Sequence, residues 1–120
     1  MSKVVEISSE VISRVRRALE EYADREKMPS YTDIETSVGV KFRRDQWRQV
    51  LDPIYEELRT GGKPDLTAIV VYGSGDLRGY PAYFSDGGKA RSRPFNPNNP
   101  AQLERWTKEV ERVFSSRRNK

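Results

Sequence analysis

The chain has 120 residues, of which 35% are hydrophobic and 33% are charged, and it contains neither cysteine nor histidine. This length fits one small domain. The missing residue types exclude disulfides, thiolate zinc sites and histidine-assisted nucleophiles. No apolar stretch approaches the roughly 20 residues that span a bilayer. We therefore expect a cytoplasmic protein that is not in the membrane, without a metal, a cofactor or catalytic residues.

The charge of the chain is unevenly distributed. The formal net charge is +4, with 11 basic and 12 acidic side chains in residues 1–60 and 11 basic and 6 acidic ones in residues 61–120. Arginine accounts for 15 of the 22 basic residues, and its planar guanidinium suits phosphate oxygens and base edges. The balance favours nucleic acid as a partner.

Three helices are predicted in the first half. An amphipathic pattern after the cap residue Ser8 predicts the first. Ser30 caps the second, with Asp33 three positions on, and Gly39 ends it. The third starts at about Arg43. Its apolar phase either continues through Pro53 as one kinked helix or restarts there as a separate one.

A β-hairpin is predicted next. The run 66–72 is apolar and β-branched between Pro64 and Gly73, which is typical of a strand. Residues 80–84 are expected to return as its partner, with Pro81 at a sheet edge.

A last helix follows the hairpin. Asn99 is its cap and Pro100 its first residue, and it ends near Phe114 before a basic tail at 115–120. Trp106 lies on its apolar face, which packs on the core of the domain or closes a homodimer.

This order of elements is that of a winged helix-turn-helix. We predict an α+β, winged-helix-like fold with three helices, then a β-hairpin and a C-terminal helix. It forms a single domain over residues 1–114, followed by the tail at 115–120.

The segment 30–51 resembles a helix-turn-helix in its apolar pattern and its turn glycine, Gly39. More narrowly, Ser30-Tyr31 at the start of the second helix resembles the DNA-binding half of alkylguanine alkyltransferases and alkyltransferase-like proteins. In that family a tyrosine matched by Tyr31 and an arginine matched by Arg43 or Arg44 rotate a nucleotide out of the duplex. The reactive Pro-Cys-His-Arg motif is absent, so the resemblance implies a binding scaffold only.

The predicted contacts to nucleic acid combine the second and third helices, the hairpin loop and a basic arm. They are Tyr31, Lys41, Arg43, Arg44, Arg48, Arg78, Lys89, Arg91 and Arg93. The alternative for the group at 41–48 is a solvated helix turn, because Asp45 and Asp52 lie near the outermost side of the predicted helix.

The sequence thus predicts a small DNA-binding regulator or accessory protein that is not an enzyme. The alternative is a protein-interaction module, such as a bacterial or phage adaptor or inhibitor, that uses the C-terminal helix or the hairpin edge. A remote third hypothesis is a Mg²⁺-dependent nuclease. Pro64-Asp65 and Asp76-Leu77-Arg78 are similar to the restriction-nuclease pattern, with arginine in place of its lysine.

Overall fold

The structure, a computed structural model, describes residues 6–86, 88–90 and 95–118. Its regular elements are α1 at Ser9–Asp24, α2 at Tyr31–Val38, α3 at Gln46–Thr60, a 3₁₀ helix at Leu66–Ile69 and α4 at Pro100–Arg118. None of the described residues forms a β-strand. Two isolated backbone bridges join Val71 with Pro81 and Tyr72 with Arg78. The fold is therefore mostly helical.

Helices α1 and α4 begin at the predicted caps. The Ser8 hydroxyl accepts a hydrogen bond from the Val11 N–H at 3.3 Å. The Asn99 carboxamide accepts one from the Gln102 N–H at 3.1 Å, and Pro100 is the first residue of α4. Each cap satisfies a first-turn amide that has no partner within its helix.

Helix α2 has the predicted caps at both ends. Ser30 and Asp33 form a capping box, in which the Asp33 N–H lies 3.1 Å from Ser30 Oγ and the Ser30 N–H lies 3.0 Å from Asp33 Oδ2. Gly39 follows the last turn with φ of 75°. This left-handed conformation strains any residue with a Cβ, so glycine ends the helix here.

Helix α3 begins at Gln46, three residues later than predicted. The Arg43 N–H donates to Gln46 Oε1 at 2.8 Å, and the Gln46 N–H donates to the Arg43 carbonyl at 3.0 Å. These bonds form a turn before the helix. The helix then continues through Pro53 as one element, so the basic residues at 41–44 lie on the loop between α2 and α3.

The apolar run at 66–71 is the centre of the core. All of its residues are buried, and the 3₁₀ helix within it contacts α1, α3 and α4. Trp106 of α4 donates its indole N–H to the Ala68 carbonyl at 2.7 Å. Helix α1 also contacts α2, α3 and α4, so the helices pack around α1 and this short buried segment.

The predicted α+β winged-helix fold is wrong, because the expected first strand at 66–72 is mostly a 3₁₀ turn. The Asp65 side chain accepts the Thr67 N–H at 2.9 Å and also the Thr67 hydroxyl. A carboxylate that caps the following amides turns the backbone instead of extending it.

The expected partner strand at 80–84 is also absent. The Ala82 N–H donates to the Val70 carbonyl at 2.8 Å, but the Val71 N–H donates to the Pro29 carbonyl at 2.9 Å. Pro81 has no N–H to offer a ladder. Backbone pairing between 70–72 and 78–82 therefore remains local, and the wing of the predicted fold does not form.

Helix α4 continues to Arg118, into the segment 115–120 that the sequence predicts as a basic tail. Arg117 Nε donates to Asp24 Oδ1 at 2.7 Å. Arg118 pairs with Glu26. These ion pairs join the last turn of α4 to the end of α1.

Candidate nucleic-acid interface

A cleft of about 470 Å³ opens beside the start of α2, the first turn of α3 and the chain at 72–85. Six aromatic residues line it: Tyr31, Trp47, Tyr72, Tyr83, Phe84 and Phe95. Arg44 and Arg48 also line it, and none of its described lining residues is acidic. We call this site the aromatic cleft. Its volume falls within the ~300–1,000 Å³ typical of small-molecule sites.

Tyr31 forms part of the wall of the aromatic cleft. Its ring stacks on Trp47 with centroids 4.2 Å apart and planes 19° apart, and Trp47 meets Phe42 edge-on at 4.7 Å. The Tyr31 hydroxyl donates to the Ala82 carbonyl at 3.2 Å. Burial raises the pKa of Tyr31 above its ordinary value. The hydroxyl of this predicted nucleic-acid contact is therefore a neutral donor bound to backbone.

Arg44 and Arg48 have no acidic partner among the described residues. Both are exposed, and no carboxylate of a described residue lies within 4.0 Å of either guanidinium. Arg43 differs, because its Nε lies 3.2 Å from Asp45 Oδ1 and this bond lowers the pKa of Asp45. Arg44 and Arg48 are the two predicted cations that can meet an anion in the cleft.

Many arginines elsewhere in the described structure are ion-paired. The pairs are Arg16 with Glu57, Arg59 with Glu56, Arg105 with Asp86, Arg112 with Glu109, Arg117 with Asp24 and Arg118 with Glu26. These pairs neutralise much of the positive charge outside the cleft. The net charge of the chain does not distinguish these ion-paired arginines from Arg44 and Arg48.

Tyr72 and Arg78 lie together at the edge of the aromatic cleft. The Tyr72 side chain is 40% exposed. Its N–H donates to the Tyr80 carbonyl and its carbonyl accepts the Gly79 N–H, both at 3.0 Å. This turn pairs the backbones of Tyr72 and Arg78, and no described carboxylate lies within 4.0 Å of the Arg78 guanidinium. Arg78 itself is not among the residues that line the aromatic cleft, so the structure places only its backbone beside Tyr72.

The remaining predicted contacts do not join this site. Lys41 and Lys89 are exposed and neither lines the aromatic cleft. Lys89 lies near the Glu56 carboxylate and helps to lower its pKa, after larger effects of the Arg59 and Ala90 hydrogen bonds. Arg91 and Arg93 lie outside the described residues.

Most of the aromatic lining was missed by the sequence analysis. Tyr83 donates its hydroxyl to Asp52, and burial raises its pKa. Phe95 lies between Tyr80 and Trp106, with centroids 5.9 Å and 6.3 Å away. In a hairpin, alternate residues of 80–84 would point to opposite faces of the sheet. The predicted fold therefore did not bring these aromatic rings together in one site. The one available signal was Phe95 beside the basic residues at 89–93.

Trp106 does not present its ring to a partner. Its side chain is only 8% exposed, and its indole N–H is bonded to the Ala68 carbonyl. A homodimer or an adaptor surface on α4 would therefore have to use other residues of that helix.

The two aspartates of the nuclease hypothesis differ in their surroundings. Asp65 is buried and caps the 3₁₀ helix, whereas Asp76 is exposed on the loop at 73–79. Across residues 6–86, 88–90 and 95–118, no three His, Cys, Asp or Glu side chains are grouped closely enough to hold a metal ion. Neither aspartate lines the aromatic cleft.

Comparison of the chain with protein-family models, with curated proteins and with solved structures finds no match in any of the three. In the part of the chain that the structure describes, no helix is long and apolar enough to cross a membrane. The geometry of the aromatic cleft therefore carries the functional conclusion.

Proposed function

We propose that this protein binds nucleic acid without catalysing a reaction on it, and that the aromatic cleft holds an unstacked base. One observation supports this proposal above the others. A single cleft is lined by six aromatic residues and by Arg44 and Arg48, and its described lining contains no carboxylate. Aromatic platforms beside cationic groups are how proteins hold single-stranded nucleic acid.

Tyr72 is the ring best placed to stack on a base. It is 40% exposed, whereas Trp47, Tyr83 and Phe84 are at most 8% exposed. Its backbone, and not its side chain, makes the hydrogen bonds to Gly79 and Tyr80. The ring can therefore meet a ligand without the loss of a structural hydrogen bond. Stacking of one base on an aromatic residue contributes ~1–3 kcal/mol.

Arg44, Arg48 and Arg78 would bind the sugar-phosphate backbone on either side of that base. Guanidinium groups donate paired hydrogen bonds to phosphate oxygens. No described carboxylate competes for these three groups within 4.0 Å. Because phosphate contacts release counterions, the affinity should decrease as salt increases.

The shape of the site favours a single strand or an extruded nucleotide over an intact duplex. A base inside a duplex is stacked on both faces, so entry into the cleft requires it to unstack, which costs a few kcal/mol. A single strand of DNA and an RNA oligonucleotide of the same sequence therefore both belong in the test.

The test is a low-salt anisotropy titration with a labelled single strand of DNA, the matching RNA and the duplex. We expect the single strand to bind more tightly than the duplex. Tyr72→Ala should weaken binding by about tenfold or more, whereas Tyr72→Phe, which keeps the ring, should stay close to wild type. Absence of binding to all three nucleic acids at low salt would overturn the proposal.

A protein partner is the second candidate, and one observation favours it. Leu77, 38% exposed on the loop at 73–79, follows Tyr72, which is 40% exposed, and tyrosine is enriched among the residues that anchor protein interfaces. Binding of a protein through this loop would depend on Leu77 and only weakly on salt. Binding of nucleic acid would tolerate Leu77→Ala and depend steeply on salt.

A further inference from the structure

Glu35 of α2 holds the loop that follows this helix. Its side-chain Oε2 accepts the Phe42 N–H at 2.9 Å, across the turn at Gly39. Its backbone carbonyl accepts the N–H groups of Gly39 at 2.9 Å and of Val40 at 3.3 Å. Glu35 is thus bonded to three residues of the loop, although it does not itself line the aromatic cleft.

The position of Glu35 is unfavourable for the helix that carries it. Glu35 lies in the last turn of α2, where the negative end of the helix dipole repels a carboxylate. The same turn contains no basic side chain, and no arginine or lysine of a described residue lies within 4.0 Å of the carboxylate. Its bond to the Phe42 N–H is charge-assisted and therefore stronger than a bond between neutral groups. This side chain thus stabilises the loop and not the helix.

Phe42 connects this bond to the wall of the aromatic cleft. The Phe42 side chain is buried, and its ring meets the Trp47 ring edge-on with centroids 4.7 Å apart. Trp47 stacks on Tyr31 at 4.2 Å, and both of these residues line the cleft. Arg44, which also lines it, follows Phe42 by two residues. The bond that fixes Phe42 therefore limits where the backbone of Arg44 can lie.

We propose that Glu35 is a positioning residue of the aromatic cleft, which fixes the loop at 39–45 so that Arg44 meets a phosphate. This inference rests on the proposed function, because it gives a side chain outside the cleft a role in nucleic-acid binding. Charge alone predicts the opposite effect. A carboxylate near the site repels phosphate, so the removal of its charge would strengthen binding. Positioning predicts that loss of the bond to Phe42 weakens binding.

Two substitutions at Glu35 separate its charge from its geometry. Glu35→Gln removes the charge but keeps a side-chain oxygen that can accept the Phe42 N–H, so the affinity for a single strand should equal or slightly exceed that of the wild type. Glu35→Ala removes both the charge and the acceptor. The affinity should then fall by about threefold or more, because a charge-assisted phosphate contact is weakened. Anisotropy titration at low salt measures both variants.

The matched control is Glu21→Ala. It removes the same charge from an exposed glutamate of α1 that has no ion pair with a described residue, and it should not weaken binding. Glu35→Asp provides a further variant if Glu35→Ala does not fold. It keeps the charge but shortens the side chain by one carbon, so it should weaken binding where Glu35→Gln does not.

A cycle of variants with Arg44→Ala tests whether Glu35 acts through Arg44. Glu35→Ala should weaken binding of the wild type and change it little in the Arg44→Ala background. Glu35→Ala should also make the salt dependence of binding shallower, by up to ~0.7 for one phosphate contact, as Arg44→Ala does. A loss of stability alone would lower the folded fraction, which urea unfolding measures, without changing this slope.

Three outcomes would overturn this inference while the wild type binds normally. The first is an affinity of Glu35→Ala that equals or exceeds that of the wild type. The second is a Glu35→Gln variant that binds as weakly as Glu35→Ala, and the third is additive effects of Glu35→Ala and Arg44→Ala. Absence of binding by the wild type is a different result, because it overturns the proposed function and this inference with it.

Discussion

At the scale of single residues, Asp65 shows a conflict between local capping and burial. The carboxylate turns the chain into the 3₁₀ helix through two bonds from Thr67. The same side chain is buried away from water, and the Asp65 N–H donates to the Glu109 carboxylate of α4. Burial is the largest cause that raises the pKa of Asp65 to about 7, and the Thr67 bonds oppose it.

This raised pKa predicts a pH-dependent stability. In the unfolded chain the carboxyl releases its proton near 3.8, whereas in the folded protein it keeps the proton up to about 7. The free energy of unfolding should therefore fall as pH rises from about 4 to about 7, because the native state binds the extra proton. Over this pH range, the free energy of unfolding of the wild type should fall by roughly 4 kcal/mol more than that of Asp65→Asn.

Urea unfolding of the wild type and of Asp65→Asn across this pH range measures the effect. The other groups that face Asp65, which are Glu109, Tyr55 and Tyr83, are common to both proteins, so their contributions largely cancel in the difference. If the difference in the free energy of unfolding between the two proteins stays constant with pH, the pKa of Asp65 is not raised in the folded protein.

At the scale of elements, the start of α2 is built against the chain at 71–73. The Val71 N–H donates to the Pro29 carbonyl at 2.9 Å. A Cβ placed on Gly73 would lie only 2.9 Å from Ser30 Cβ and 3.3 Å from Ser30 Oγ. Gly73 is therefore required by the close approach of two segments and not by its own backbone angles.

This contact predicts a coupled pair of substitutions. Gly73→Ala should lower the free energy of unfolding by ~1–3 kcal/mol, because the added methyl group overlaps Ser30. Ser30→Gly alone should cost only a few tenths of a kcal/mol, since glycine is a tolerated N-cap. In the double variant the overlap is relieved, and much of the cost of Gly73→Ala should disappear. A denaturation cycle with additive effects would show that the two segments do not approach so closely.

The elements that the sequence predicts correctly are those fixed by neighbouring residues. Ser8, the Ser30–Asp33 box, Gly39 and Asn99 act within a few positions of the chain, so their patterns are readable without the fold. The continuity of α3 through Pro53 was one of two alternatives, and the structure selects the single helix.

The run at 66–72 could not be assigned in the same way. A short apolar run is compatible with a strand or with any other buried segment, because its periodicity does not distinguish them. The tertiary contribution is the packing of helices on several sides of the run. The cap that Asp65 provides is local, but it was not weighed against the apolar run in the sequence analysis. The same limit applies to the aromatic cleft. Arg44 and Arg48 are close in sequence, but the fold brings Tyr72, Tyr83 and Phe95 to them.

At the scale of the whole molecule, several arginines outside the aromatic cleft are ion-paired, whereas the two arginines that line it have no carboxylate partner among the described residues. Arginines along α4 and the end of α3 are held by neighbouring carboxylates. Arg44, Arg48 and Arg78 are not, among the residues described. A nucleic acid should therefore approach the aromatic cleft and not the more basic C-terminal half as a whole.

The salt dependence of single-strand binding tests this central claim most directly. For the wild type, the logarithm of the affinity should fall linearly with the logarithm of the salt concentration. In the double variant Arg44→Ala/Arg48→Ala the slope should be shallower by ~1.4, at roughly 0.7 per phosphate contact. The control is Arg17→Ala/Arg25→Ala, which removes the same charge from two exposed arginines outside the aromatic cleft and should keep the wild-type slope. Equal slopes for the two double variants would contradict a nucleic-acid site at the aromatic cleft.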